Sequence, residues 1–210
     1  MGLTVEHFYR VYNTLDSIFP EDITFLNYES PFQLLISVIL SARTTDRQVN
    51  GVTGELFRAY PDAASLASAD PGIVEGIIRP VGYFRQKSGY IIKASAALAS
   101  RQIPDTMEEL LEIPGVGRKS ANVILGAVYG KPAIIVDTHF SRVVCRLGWT
   151  SCLPPEAVEK ELQRTIPPER QYRTSMMLNL LGRKHCHARN PGCQECPVTS
   201  LCPRLIRSSG

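Results

Sequence analysis

The stretch Leu110-Leu111-Glu112-Ile113-Pro114-Gly115-Val116-Gly117-Arg118-Lys119-Ser120-Ala121 decides how this chain folds. Just upstream, Asp105 and Thr106 are each followed three residues later by a glutamate, Glu108 and Glu109, a doubled capping-box signal for a helix start. That helix cannot run past Pro114, because the residue before a proline is pushed out of the helical region. Gly115 and Gly117 admit backbone angles closed to other residues, so the chain reverses within a few positions. A second helix starts near Arg118 and continues through Ala121, Val123, Ile124 and Ala127. The pattern is helix, hairpin, helix. It leaves the N–H groups at the start of the second helix open, a place that suits a phosphate.

Lys119 stands in the first turn of that second helix, at the positive end of the helix dipole. An arbitrary surface lysine is simply solvated. Here the position follows a Gly-x-Gly turn and disfavours the charged form, and an amine must be neutral to act as a nucleophile. Lys119 is therefore a candidate both for a polyanion contact and for covalent chemistry.

A second constellation closes the chain: Cys186, Cys193, Cys196 and Cys202, spaced C-x6-C-x2-C-x5-C among Pro191, Gly192, Pro197 and Pro203. Residues 1–17 show no secretory pattern, so a reduced compartment and metal ligation are expected in preference to disulfides. Four thiolates suit zinc and a [4Fe–4S] cluster alike, and the spacing does not separate them. His185 and His187 flank Cys186 and are read as bystanders. Cys145 and Cys152 fall outside the spacing; Cys145 is expected in the core of its helix.

The rest of the chain reads as helices. Phe8, Val11, Tyr12, Leu15, Ile18 and Phe19 recur at helical spacing over about residues 3–18. Ser30-Pro31 opens an almost wholly apolar helix through Leu40, which should lie at the centre of its domain. Thr44, Thr45 and Asp46 offer caps for the next helix, and Pro61-Asp62 and Pro71-Gly72 start two short ones. Another follows the break at Gly82-Tyr83. Ala133 to Val136 is expected as an extended connector, because no alternating segment exists to pair with it. Helices are then expected from Asp137 to Gly148, from Pro154-Pro155, and over about Glu169 to Lys184. Asp137 before Thr138 is what an N-cap looks like; a carboxylate there could also face a developing positive charge. The net charge of +3 is small for 210 residues, so polyanion binding must come from local clustering. No apolar run is long enough to span a membrane.

The hairpin with Lys119, the segment Val136-Asp137-Thr138-His139 and the cysteine tail, in this order, resemble the endonuclease III branch of the helix-hairpin-helix DNA glycosylases. The resemblance runs from about Pro31-Phe32 to Cys202. It implies an all-α fold of two helical domains, 21–131 with the hairpin and 1–20 plus 132–210 with the cluster loop. It also implies a [4Fe–4S] cofactor on Cys186, Cys193, Cys196 and Cys202. The activity implied is base excision repair: removal of oxidised pyrimidines through an imine on Lys119, with Asp137 as acid/base, followed by nicking of the abasic strand. The implied partner is double-stranded DNA carrying damaged pyrimidines or abasic sites, contacted by Gly115, Val116, Gly117, Arg118, His139 and Arg189. A monomer in the cytoplasm, at the nucleoid of a bacterium or archaeon, is expected. Two positions depart from the family pattern: Arg43 stands where a gap-filling glutamine is common, and Tyr83 where a wedging leucine is common. Both are candidate DNA contacts. Readings that compete on the same scaffold are a MutY-like or a mismatch-specific thymine glycosylase; a non-catalytic DNA-binding module is the alternative from another class.

Overall fold

The computed structural model describes residues 2–151 and 153–204, so Cys152 lies outside the described residues. It is all-helical, with no strand among the described residues. Eleven helices are described: α1 (Val5–Asp16), α2 (Pro31–Leu40), α3 (Asp46–Ala59), α4 (Ala63–Ala67), α5 (Pro71–Ile77), α6 (Phe84–Leu98), α7 (Met107–Leu111), α8 (Arg118–Tyr129), α9 (Thr138–Arg146), α10 (Pro155–Thr165) and α11 (Pro168–Lys184). The chain divides into two compact units, Thr24–Tyr129 and Met1–Ile23 with Gly130–Gly210.

In the Thr24–Tyr129 unit, α2 is the central element. Ser30 caps it by accepting from Gln33 N–H, Pro31 occupies the first turn, and Leu34 through Leu40 are all buried. Around it pack α3, α6 and α8. Thr45 and Gln48 form a reciprocal capping box that starts α3, whose Val49, Val52, Leu56 and Phe57 join the core. Of the doubled signal at Asp105 and Thr106, Thr106 is the residue that caps α7. Helix α7 stops at Leu111, and α8 resumes at Arg118 on the far side of the hairpin.

The second unit is built on α9 and α11, with α1 packed against α11. Its core runs through Phe8, Leu15, Phe140, Val143, Trp149, Leu162 and Leu178. Gly148, at φ +73°, ends α9 in a Schellman turn: Trp149 N–H donates to Val144 O (2.9 Å) and Gly148 N–H to Cys145 O (3.0 Å). The buried stripe of α9 is Phe140, Val143, Val144 and Leu147, and Cys145 lies to its side. Cys145 is thus half-buried and disulfide-bonded, not the core residue that periodicity implied. The connector Ala133–Val136 has no regular secondary structure and is wholly buried. Ser175 Oγ, donating to Gln171 O one turn back (2.9 Å), satisfies part of the connector's backbone by accepting from Ile135 N–H (3.0 Å).

Candidate active site and cluster loop

In the Thr24–Tyr129 unit the hairpin is drawn tight by Val116 N–H donating to Ile113 O (3.0 Å). Gly115 is at φ +84°, and a Cβ there would come within 2.9 Å of both Ile39 and Tyr90. Only glycine fits both the angle and the space. Val116 was a candidate DNA contact, yet its N–H is used inside the turn and its side chain is buried in the core. The turn's outward face therefore consists of Gly117 and the start of α8. At the start of α8, Ala121 N–H donates to Gly117 O (2.9 Å). Arg118 is half-buried and Lys119 is exposed in this first turn.

A short distance along the same unit, Arg43 and Tyr83 both occupy the left-handed region, at φ 53° and 60°. Non-glycine residues rarely do so, and such outliers gather at functional positions. With Gln86, Tyr90 and Gly115 they line one cavity of about 360 Å³. Beneath it lies Lys87, 4% exposed, which donates to Leu40 O (2.8 Å) and Thr44 Oγ1 (2.6 Å). Burial pushes its amine below the ordinary lysine range. Lys87 thereby ties the Arg43 turn to the helix that follows Tyr83. Its role was invisible as sequence, because its partners lie more than forty residues away.

In the second unit, Asp137 caps α9. Its Oδ1 accepts from Phe140 N–H (2.7 Å), while its Oδ2 accepts from Asn179 Nδ2 on α11 (2.6 Å). His139 lies against Gly182, where a Cβ would meet His139 Cβ at 2.9 Å. Arg142, from the next turn, donates to Thr138 O (3.2 Å), Gly182 O (2.9 Å) and Cys186 O (2.7 Å), and pairs with His139 Nδ1 (3.2 Å). Arg146 reaches Cys186 Sγ (3.2 Å), His187 O (2.7 Å) and Ala188 O (3.1 Å). These two arginines hold the cluster loop, and sequence reading missed both. Arg189 is exposed on that loop, beside Asn190 at φ 48°.

Cys186, Cys193, Cys196 and Cys202 are free and line one cavity together with Arg146, His185 and Arg204. Among the described residues no three His, Cys, Asp or Glu side chains are arranged to hold a single metal ion. A zinc site draws four sulfurs to about 2.3 Å from one centre; a cluster takes one thiolate per iron, so its sulfurs stand further apart. Four free thiols lining one cavity supply the one ligand per iron that a cluster needs. Burial pushes the Cys196 and Cys202 thiols up, against the thiolate form that ligation needs. Behind the loop, His7 accepts from Trp149 Nε1–H at Nδ1 (3.2 Å) and donates from Nε2 to Leu201 O (2.8 Å). An indole only donates and a carbonyl only accepts, so the tautomer is decided.

Residues 36–168 match the HhH-GPD superfamily of base excision DNA repair proteins. Residues 186–202 match the iron–sulfur binding domain of endonuclease III. An endonuclease III of Synechocystis sp. is 41% identical over 193 residues, covering 90% of this chain and 88% of that protein. The chain belongs to the endonuclease III family. It is a DNA glycosylase and AP lyase of base excision repair, and its C-terminal cysteines bind an iron–sulfur cluster, as the resemblance implied. Among solved structures, a trapped endonuclease III–DNA covalent intermediate superposes with a TM-score of 0.88 at 37% identity, covering 96% of this chain and 97% of the other. A thermostable thymine-DNA glycosylase has the same fold, with a TM-score of 0.83 at 20% identity, covering 95% and 96%. Among the described residues no helix is long and apolar enough to cross a membrane.

Proposed function

We propose that this member removes oxidised pyrimidines from double-stranded DNA with Lys119 as the nucleophile and Asp137 as the acid/base, and then nicks the abasic strand. The observation that carries this reading is an exposed lysine in the first turn of α8, directly behind a hairpin that only glycine can make. The target nucleotide leaves the stack, because its sugar carbon cannot be reached inside a duplex. The neutral Lys119 amine attacks C1′ as the bond from C1′ to the base breaks, and the base leaves with a proton. Positive charge grows on the sugar in that step, and the Asp137 carboxylate, already held by Phe140 N–H and Asn179, meets it without rearranging. Opening of the sugar ring leaves an imine between Lys119 and C1′. Loss of a C2′ proton then breaks the C3′–O bond and expels the 3′ phosphate, and water hydrolyses the imine to restore the amine.

Gly117 and the α8 N-terminus offer N–H groups to a backbone phosphate, with Arg118 adding charge; such a contact is independent of sequence. His139 and Arg189 are further candidate contacts. Arg43 presents a planar cation able to pair bidentately with guanine, and Tyr83, 61% exposed, offers a face for a base to stack on. The cluster on Cys186, Cys193, Cys196 and Cys202, read as [4Fe–4S], supplies a centre around which the tail is fixed.

Borohydride reduction on abasic DNA tests the reading. The wild-type protein gives a trapped covalent adduct, whereas Lys119→Gln binds the same DNA and neither traps nor nicks. A trapped adduct in Lys119→Gln shows that another amine is the nucleophile. Base excision by the wild type without any adduct supports a monofunctional glycosylase. Binding with neither activity supports a non-catalytic module.

A further inference from the structure

An N-cap needs one carboxylate oxygen, and Phe140 N–H takes Oδ1 of Asp137 for that purpose. Capping leaves Oδ2 without a task. It is bound by Asn179 Nδ2 at 2.6 Å, and Asn179 Oδ1 in turn accepts from Arg183 Nε at 2.6 Å. Asn179 is 5% exposed and sits among Met177, Leu178 and Leu181 on α11. Burying an amide in such a setting is unfavourable unless its hydrogen bonds are made. The orientation of the amide is not arbitrary. A guanidinium only donates and an ionised carboxylate only accepts, so the oxygen must face Arg183 and the NH2 must face Asp137.

We propose that Asn179 is a positioning residue for the reaction: with Arg183 fixing its amide, it holds the Asp137 carboxylate in one rotamer, both oxygens bound. The proposal rests on the reading of Asp137 as the group that faces the sugar cation. A carboxylate anchored through one oxygen can swing about its last torsion, which is broad and roughly two-fold. Anchored through both, it keeps its orientation while charge develops, the condition under which fixed anions are most effective. Arg183 stands one helical turn beyond Asn179 on the same face, so the relay is built along α11 and delivered to the residue that caps α9.

Single-turnover excision rates and lesion-DNA affinity, measured on cluster-loaded protein, test this. Asn179→Leu removes the donor at nearly constant volume. Its excision rate per active molecule falls about ten-fold or more, the scale of one hydrogen bond to a charged group, while DNA affinity is unchanged. Asn179→Asp keeps the shape and sets a second carboxylate against the first, where both cannot ionise comfortably. Its rate falls at neutral pH and recovers relative to wild type under acid conditions, as a protonated carboxyl donates again. Arg183, which donates to Asn179, and His139 and Arg142, paired on the first turns of α9, are all unchanged in these two variants. The wild-type pH profile is therefore their control. A merely structural role would lower the melting temperature and leave both rate and pH profile alone. Arg183→Met, at a half-exposed position, frees the amide to flip and lowers the rate in the same direction; it decides the matter if Asn179→Leu does not fold. A wild-type rate in folded Asn179→Leu, or in Arg183→Met where that variant decides, overturns the positioning role, while an inactive Asp137→Asn alongside leaves the catalytic reading standing. Wild-type excision by Asp137→Asn overturns both.

Discussion

Adding one methyl group at Gly182 tests whether the close approach of α9 and α11 sets the site's geometry. In Gly182→Ala the new Cβ lands 2.9 Å from His139 Cβ, 3.1 Å from His139 O and 3.2 Å from Val143 Cγ2. Ordinary carbon contacts lie at about 3.5–4.0 Å. One of the three atoms belongs to the α9 backbone and cannot rotate aside, so the helices must separate by roughly 0.5–1 Å at this point. Overpacking of this kind destabilises by about 1–3 kcal/mol. Alanine in place of glycine within a helix returns about 1 kcal/mol. The net loss is about 0–2 kcal/mol, and at roughly 2–4 °C per kcal/mol for a chain of this size the melting temperature falls by up to about 8 °C.

The same separation opens the 2.6 Å bond from Asn179 to Asp137, because Asn179 lies less than one turn from Gly182 on α11. Excision per active molecule should therefore fall further than stability alone would bring about. Gly54→Ala is the control: this exposed glycine of α3 has nothing within 4 Å of its would-be Cβ. It gains the helix propensity without the clash, so it melts at or slightly above wild type with full activity. The assay is thermal melting of cluster-loaded protein at one scan rate, with single-turnover excision on the same preparation. If Gly182→Ala melts with or above Gly54→Ala and excises at the wild-type rate, the contact is soft and the reasoning fails.

Four further outcomes are expected. Purified protein should be brown, with about four iron per chain as a [4Fe–4S] site requires, and Cys202→Ser should lose iron and yield; stoichiometric zinc in anaerobic preparations would contradict this. Tyr83→Ala should weaken lesion-DNA binding about ten-fold, since a base-stacking aromatic contributes roughly 1–3 kcal/mol. Arg43→Ala should flatten any preference for guanine opposite the lesion; excision rates unchanged against all four opposite bases in both variants would return these residues to the surface. For Lys87, burial lowers the folded pKa from its ordinary 10.5, so the unfolded chain binds more protons between the two values. Stability from this group rises with pH across that window. The melting temperature of wild type relative to Lys87→Met should therefore increase as the pH rises toward the ordinary lysine value of 10.5, and a flat difference would count against it.

What the sequence made legible was mostly local. Ser30, Thr45, Thr106 and Asp137 each cap a helix through a backbone N–H three residues on, so their signals lie inside a short window. Pro114 with Gly115 announces the hairpin for the same reason. The cysteine tail was legible as a ligand set, though not as to which metal, because four thiolates serve both. Asn179, Lys87 and His7 were not legible. Asp137 lies 42 residues from Asn179, Lys87 bonds to residues 43 and 47 away and His7 to residues 142 and 194 away, and nothing in a short window distinguishes a buried, satisfied polar residue from an exposed one. The one available hint was Asn179 itself, an amide set between Leu178 and Leu180-Leu181 in an apolar run. Val116 misled in the other direction. A turn residue beside two glycines reads as part of the phosphate cradle, but a hairpin this tight consumes its N–H internally.

Helix α9 joins the two halves of the site's chemistry within one unit. It begins at the carboxylate, and on its later turns Arg142 and Arg146 donate to Cys186 O, His187 O and Ala188 O and approach Cys186 Sγ. A loop of this kind, rich in proline and glycine, buries little apolar surface of its own and leaves many carbonyls to satisfy. Two guanidiniums with five donors each meet that need, and lysine with one compact ammonium would not. The thiolates of a bound cluster add negative charge beside Arg146, which strengthens the same contacts. The tail and the Asp137 carboxylate therefore share an element nine residues long.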